Sequence, residues 1–338
     1  MNSRNVKLEG LRGAAAVIVV VYHVFYTMKL GFITENDNLN KLWHYTFYLG
    51  QFGEQAVYFF LALSGYVLSN KIVNEKIASY KKWISWRFLR LIPLYYISLL
   101  FAFLVNVIAL EKIPFNIQYL SLTYLFDNEI VFYNWNPPLW SLVIEIILSI
   151  PLVFMLEKFK QRSRTQQILM IIGFYALSYF SANWGIRYLL KGGAIFYAGV
   201  LASLEIKKLR YSSAALFTLV SFCVVIMEMK PIIGLKILNL SLLPIFYLYL
   251  SNLKFVNKSV SRRIGHLSKY LGRISFSLYV FHWPILIMLK KILYLGNFER
   301  GILTLMLTIS LILIATVLEK YIDRPIRVKA NKTLLLGY

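Results

Sequence analysis

The sequence predicts an all-α polytopic membrane protein of about ten transmembrane helices with both termini cytoplasmic. Three observations predict it. Hydrophobic residues make up 59% of the chain and mean hydropathy is +0.62, above the roughly half-apolar composition of a soluble domain. The apolar runs are helix-length, whereas outer-membrane barrels carry short alternating segments. Lipid tolerates only structures that satisfy their own backbone, so barrel and helix are the two choices and helix fits. Finally, 37 Lys+Arg stand against 15 Asp+Glu, and most of the basic residues border apolar runs, as membrane orientation demands.

The expected spans are 11–30, 52–70, 87–109, 138–156, 168–183, 188–204, 213–229, 236–252, 274–293 and 301–319. Several fall short of the ~20 residues an ideal span needs. The pair 168–183 and 188–204 reads as two tilted helices or a partly re-entrant segment. With a cytoplasmic N-terminus and ten spans, 27 of the 37 basic residues lie inside. Removing one span inverts everything downstream and spoils the bias. The chain is expected to form a single integral-membrane domain over 1–338, core about 8–325, with no appended soluble domain.

The formal charge of +22 would suggest nucleic acid in a soluble chain. Here topology and anionic lipid account for it, so no nucleic-acid partner is expected. The lone Cys223 excludes an intrachain disulfide and a multi-cysteine metal site. No HExxH, CxxC, P-loop or GxGxxG occurs, and no metal site is expected. No internal repeat of the transporter kind is visible. The longest outside loop, about Leu110 to Pro137, is crowded with aromatics. It reads as an interfacial belt or as a platform for a bulky polar substrate such as a sugar.

His23 is the most informative residue. It sits in the first apolar run, eleven residues after Arg12, so the two lie roughly 16 Å apart along a helix. An ionisable group near mid-bilayer usually faces a protein interior or a wet cavity, and a neutral imidazole can take a proton from an attacking hydroxyl. Glu9 and Arg12, at i,i+3, share a helix face at the inner boundary and are placed to pair. Arg87 and Arg90 share another, at the inner boundary and just before Pro93. These arginines suit phosphate, because the guanidinium fork is bidentate and always charged. Anionic lipid or orientation explains the same residues. Ser64 and Gly65 read as close helix packing more readily than as a nucleophile site.

Glu145 lies in apolar surroundings in NPPLWSLVIEIIL (Asn136 to Leu148), on the same face as Ser141. A carboxylate there needs a partner, and His23 is the expected one, by the logic of acyl-transfer triads. A structural Glu–Lys, Glu–Arg or Glu–Tyr pair is the alternative. LGRISFSLYVFHWPIL (Leu271 to Leu286) supplies Arg273 at the inner edge, with Tyr279 and His282 deeper. His282 reads either as a structural cap before Pro284 or as part of the chemistry. In LEKYIDRP, Arg324 is expected to pair with Glu319 or Asp323. Of the histidines only His23 and His282 could meet, since His44 and His266 lie in loops.

These blocks resemble the membrane acyltransferase 3 family. The match runs through LEGLRGAAAVIVVVYH (Leu8 to His23), FFLALSGYVL (Phe59 to Leu68), RFLRLIPLYY (Arg87 to Tyr96), PLWSLVIEIIL (Pro138 to Leu148), LGRISFSLYVFHWPIL and LEKYIDRP (Leu318 to Pro325), in the family's order. The resemblance implies a ten-helix core that moves an acyl group, most often acetyl, from cytoplasmic acyl-CoA to a hydroxyl of an extracytoplasmic or lipid-linked glycan. It implies His23 as the catalytic histidine, with Glu145 and Ser141 at the family's acidic and serine positions. Arg12, Arg87, Arg90 and Arg273 are the candidates for binding the donor. Acyl-CoA is expected as a substrate, with no tightly bound cofactor. The expected location is the bacterial inner membrane, with membrane lipid and a saccharide acceptor as partners and a homo-oligomer allowed. The runner-up is a proton-coupled transporter or flippase for a polar solute, in which His23 and Glu145 relay protons.

Overall fold

A computed structural model describes residues 6–28, 53–74, 79–108, 117–127, 135–205, 258–293 and 300–335. The expected spans 213–229 and 236–252, Cys223 and His44 lie outside the described residues. The helices are α1 (Val6–Met28), α2 (Gly53–Asn74), α3 (Tyr80–Ile108), α4 (Trp140–Ser149), α5 (Leu152–Gln161), α6 (Arg164–Phe180), α7 (Trp184–Glu205), α8 (Lys258–Leu293) and α9 (Arg300–Leu318). A π-turn, Glu319–Asp323, joins α9 to α10 (Arg324–Leu335).

The architecture is all-α, but the span count departs from the sequence expectation. Five helices are long and apolar enough to cross a membrane, or six if one bent pair counts as a span, among the described residues. About ten is therefore corrected, and the cytoplasmic placement of both termini, which rested on that count, goes with it. The physical reasons are local. The segment expected as one span at 138–156 breaks into α4 and α5, bent by 64°, at Pro151, which lacks the N–H a continuous helix needs. α6 has only 17 residues, roughly 26 Å of helix against a hydrocarbon core of ~30 Å. α7 carries Arg187 and Lys191 in its first turns, which interrupts its apolar run.

Lipid contact is written on the surface. Leu305, Met306, Ile309, Leu313 and Val317 of α9 are exposed, as are Leu169, Ile172, Leu177 and Phe180 of α6. An apolar face of that extent suits a bilayer and not water.

Two close helix crossings build the interior. α1 and α8 run parallel: Gly10 meets Ser268, Gly13 meets Leu271 and Gly272, and His23 meets His282. A side chain at Gly13 would overlap Leu271, and one at Gly272 would overlap the Glu9 backbone. α2 and α7 also run parallel, where a side chain at Gly65 would strike the Phe196 carbonyl and one at Gly199 the Ala62 carbonyl. Small residues let backbones approach where lipid offers no hydrophobic drive. Ser64, beside Gly65, is buried in that crossing.

Candidate active site

The site forms where α1 and α8 lie side by side. His23 and His282 have ring centroids 4.9 Å apart. His282 is 1% exposed, and Trp283 packs edge-on against His23 at 5.4 Å. The hydrogen-bond network assigns the tautomers. A backbone carbonyl only accepts, so the Val19 oxygen, 2.9 Å from His23 Nδ1, takes an N–H from that nitrogen. The Tyr279 oxygen, 2.6 Å from His282 Nδ1, likewise takes an N–H. His282 Nε2 is then a lone pair, 3.1 Å from His23 Nδ1, and shares its proton. His23 Nε2 keeps a lone pair with no hydrogen-bond partner among the described residues.

Ser141 joins the same cluster from α4. The Tyr279 hydroxyl donates its single proton to the Pro138 carbonyl at 2.7 Å. Its 2.6 Å contact with Ser141 Oγ must therefore carry the serine proton, donated to the phenol oxygen. Ser141 thus fastens Tyr279, one turn before His282. A second tie acts a turn further on. Pro284 within α8 cannot donate to the Val280 carbonyl, its i−4 partner. Asn136 Nδ2 donates to that carbonyl instead, at 3.0 Å, and locks the NPP turn to the helix. Nothing in the sequence signals that Asn136 and Val280, 144 positions apart, meet.

Glu145 does not pair with His23. Arg87 Nη2 donates to its carboxylate at 2.8 Å, with the side chains 5% and 18% exposed. Arg87 Nε also donates to Ser149 Oγ at 2.9 Å, and Trp83 Nε1 donates to the Ser149 carbonyl at 2.8 Å. α3 enters beside α4 in the opposite direction, so its first buried arginine meets Glu145 before α1 can. The alternative of a structural Glu–Arg pair is the one the geometry adopts.

The remaining arginines gather at one end of the bundle. Arg90 donates to the fully buried Asp323 at 2.7 Å and lies 4.5 Å from the Phe276 ring. Arg327 bridges Asp323 at 3.1 Å and Glu319 at 2.6 Å. Arg324 was expected in that role, but it is exposed. The π-turn widens the helix by one residue and turns Arg327 inward instead. Arg273 approaches Glu319 only to 3.7 Å and is 48% exposed. Arg12 is half-buried, has no carboxylate partner among the described residues, and lies close enough for its charge to act on Arg90. Four arginines thus gather with Glu319 and Asp323 at this end, and the Glu9 carboxylate lies against Gly272 beside them, so positive charge exceeds negative by one, a balance suited to an anion. Of the four arginines expected to bind phosphate, Arg87 and Arg90 are committed to carboxylates, and Arg12 and Arg273 are the more open.

No curated protein and no solved structure matches the chain. A family model described as an acyltransferase domain matches residues 5–319, which takes in every site residue above except Asp323, Arg324 and Arg327. The chain belongs to the membrane acyltransferase 3 family, and is an acyl-CoA-dependent O-acyltransferase acting on a glycan or lipid-linked acceptor.

Proposed function

We propose that the protein transfers an acetyl group from acetyl-CoA directly to a glycan hydroxyl, with His23 as the general base. The observation that carries this reading is the fixed tautomer of His23. Its Nδ1–H is held by the Val19 carbonyl at 2.9 Å and by His282 at 3.1 Å, which leaves Nε2 as a basic lone pair. In the proposed step the acceptor O–H gives its proton to His23 Nε2 while its oxygen bonds to the thioester carbonyl carbon. Collapse of that adduct breaks the C–S bond, and the imidazolium returns the proton to the departing thiolate. General base catalysis of this kind supplies roughly 10²–10⁴-fold.

The other site residues fall into supporting roles. Arg12 and Arg273 contact the phosphates of the donor, and Arg90 adds its charge from the Asp323 pair. Glu145 positions Arg87, and Ser141 positions Tyr279 and through it the turn that carries His282. The donor enters from the arginine end and the acceptor from the other, so His23 lies between them. One membrane domain performs the transfer, and the proposed setting is the bacterial inner membrane, where cytoplasmic acyl-CoA is at hand.

The test is hydrolysis of radiolabelled acetyl-CoA, and label transfer to membrane glycans, by purified wild type and His23→Ala. Loss of both in a variant with wild-type thermal stability supports the base role. Undiminished transfer by His23→Ala refutes it.

A further inference from the structure

We infer that Trp140, Trp184 and Tyr188, with the Glu54–Lys191 pair, form the platform that holds a pyranose ring of the acceptor beside His23. This deepens the glycan-acceptor reading above and rests on it. The helix starts of α2, α4 and α7 converge at the end of the bundle opposite the arginines. Trp184 and Tyr188, one turn apart on α7, stack with centroids 4.1 Å apart and planes at 28°. Trp140 meets Trp184 edge-on at 5.7 Å and Tyr188 at 4.9 Å. All three are half-buried, so each ring keeps some surface open.

Polar groups of both senses flank the rings. Glu54 accepts from the Tyr58 hydroxyl at 2.7 Å and from Lys191 Nζ at 3.2 Å. Lys191 lies 4.8 Å from the Tyr58 ring and 5.7 Å from the Tyr188 ring. Burial first, and then the Glu54 charge, push the Tyr188 phenol up to about 12, so it stays neutral, with its proton directed to Glu54. Glu54 is 43% exposed and retains carboxylate lone pairs for further donors.

The platform adjoins the base. Tyr22 packs edge-on to His23 at 4.9 Å, and its ring lies against Gly53, the neighbour of Glu54, where a side chain would overlap it. Trp140 immediately precedes Ser141, which is bonded to Tyr279. Tyr22 and Ser141 are thus the links between the platform and the histidine pair.

The chemistry selects a carbohydrate. The C–H face of a pyranose is weakly positive and sits on the negative face of an aromatic ring, while its hydroxyls need both donors and acceptors. Lys191 donates, and Glu54 and the Tyr188 oxygen accept. Interfacial tryptophans that merely anchor a helix in lipid need no carboxylate shared by a lysine and two phenols from different helices.

The test titrates radiolabelled acetyl-CoA and the saccharide fraction extracted from membranes, separately, over wild type, Trp184→Ala and Trp184→Phe. Trp184→Ala is expected to raise the half-saturating concentration of the saccharide fraction roughly tenfold, or about 1.4 kcal/mol. The half-saturating concentration of acetyl-CoA stays where it was. Trp184→Phe, which keeps a ring, recovers most of the loss. Acceptor titrations of Trp184→Ala that match wild type overturn the platform and leave the glycan reading standing. Equal damage from Ala and Phe, falling on both substrates, overturns it too, because a fold defect and not a lost stacking face is then at work. Wild type that labels lipid or protein but no saccharide overturns the acceptor reading and the platform together.

Discussion

Arg87 offers the sharpest test, because sequence and structure assign it different duties. A phosphate ligand would stand open to the donor, but Arg87 is 5% exposed and bonded to Glu145 at 2.8 Å and to Ser149 at 2.9 Å. Truncating it strands a carboxylate that is itself only 18% exposed, inside an apolar helix. Breaking one side of such a buried pair costs about 3–5 kcal/mol. Replacing both partners by apolar groups of similar volume is close to neutral, because both desolvation costs vanish together. Arg87→Met, Glu145→Leu and the double variant therefore form a cycle whose coupling energy should exceed about 2 kcal/mol. The assay is the thermal unfolding midpoint in detergent, with the half-saturating acetyl-CoA concentration measured in parallel. Either single variant should lose stability, and the double should regain most of it. The reasoning is refuted if the losses add, or if Arg87→Met keeps full stability and only weakens acetyl-CoA.

Three further outcomes follow from the same geometry. His282→Ala removes one of the two acceptors of the His23 Nδ1–H, leaving the Val19 carbonyl, and should lower kcat for transfer by about 10²-fold, while His282→Gln, whose amide oxygen can replace that lone pair, should recover part of it; equal loss in both, read from kcat and its pH profile, would deny the positioning role. Asp323→Asn removes the charge shared by Arg90 and Arg327 and should cost about 3 kcal/mol or more in the unfolding midpoint, with none lost if the network is solvated. Gly13→Ala forces α1 away from Leu271 at about 1–3 kcal/mol, and should depress transfer beyond the stability loss, because the His23–His282 contact lies on the same pair of helices; a wild-type rate at reduced stability would separate packing from chemistry.

The sequence by itself determined a good deal. Composition and run length settled helices in lipid, since no other backbone is satisfied there. The motif order identified the family, and the cost of buried ionisable groups singled out His23, Glu145 and the arginines. Those conclusions depend on what each residue is and how deep it lies along its own helix. The span count was not written in hydropathy, because an apolar run does not show that Pro151 breaks a helix and turns it by 64°, or that two cations open α7.

Partnership was decided only in three dimensions. His23 and Glu145 each need a partner, and depth along their own helices matches the two to each other. The glycine-lined crossing of α1 and α8 instead sets His23 against His282, 259 positions away. The antiparallel approach of α3 and α4 gives Glu145 to Arg87. Trp184, Tyr188 and Lys191 share one face of α7 by their spacing, but nothing in a linear pattern brings Trp140 and Glu54 to them from two other helices. A sequence states which groups must be neutralised. Helix rotation and crossing angle, set by small residues and by proline breaks, choose the neutralising neighbour.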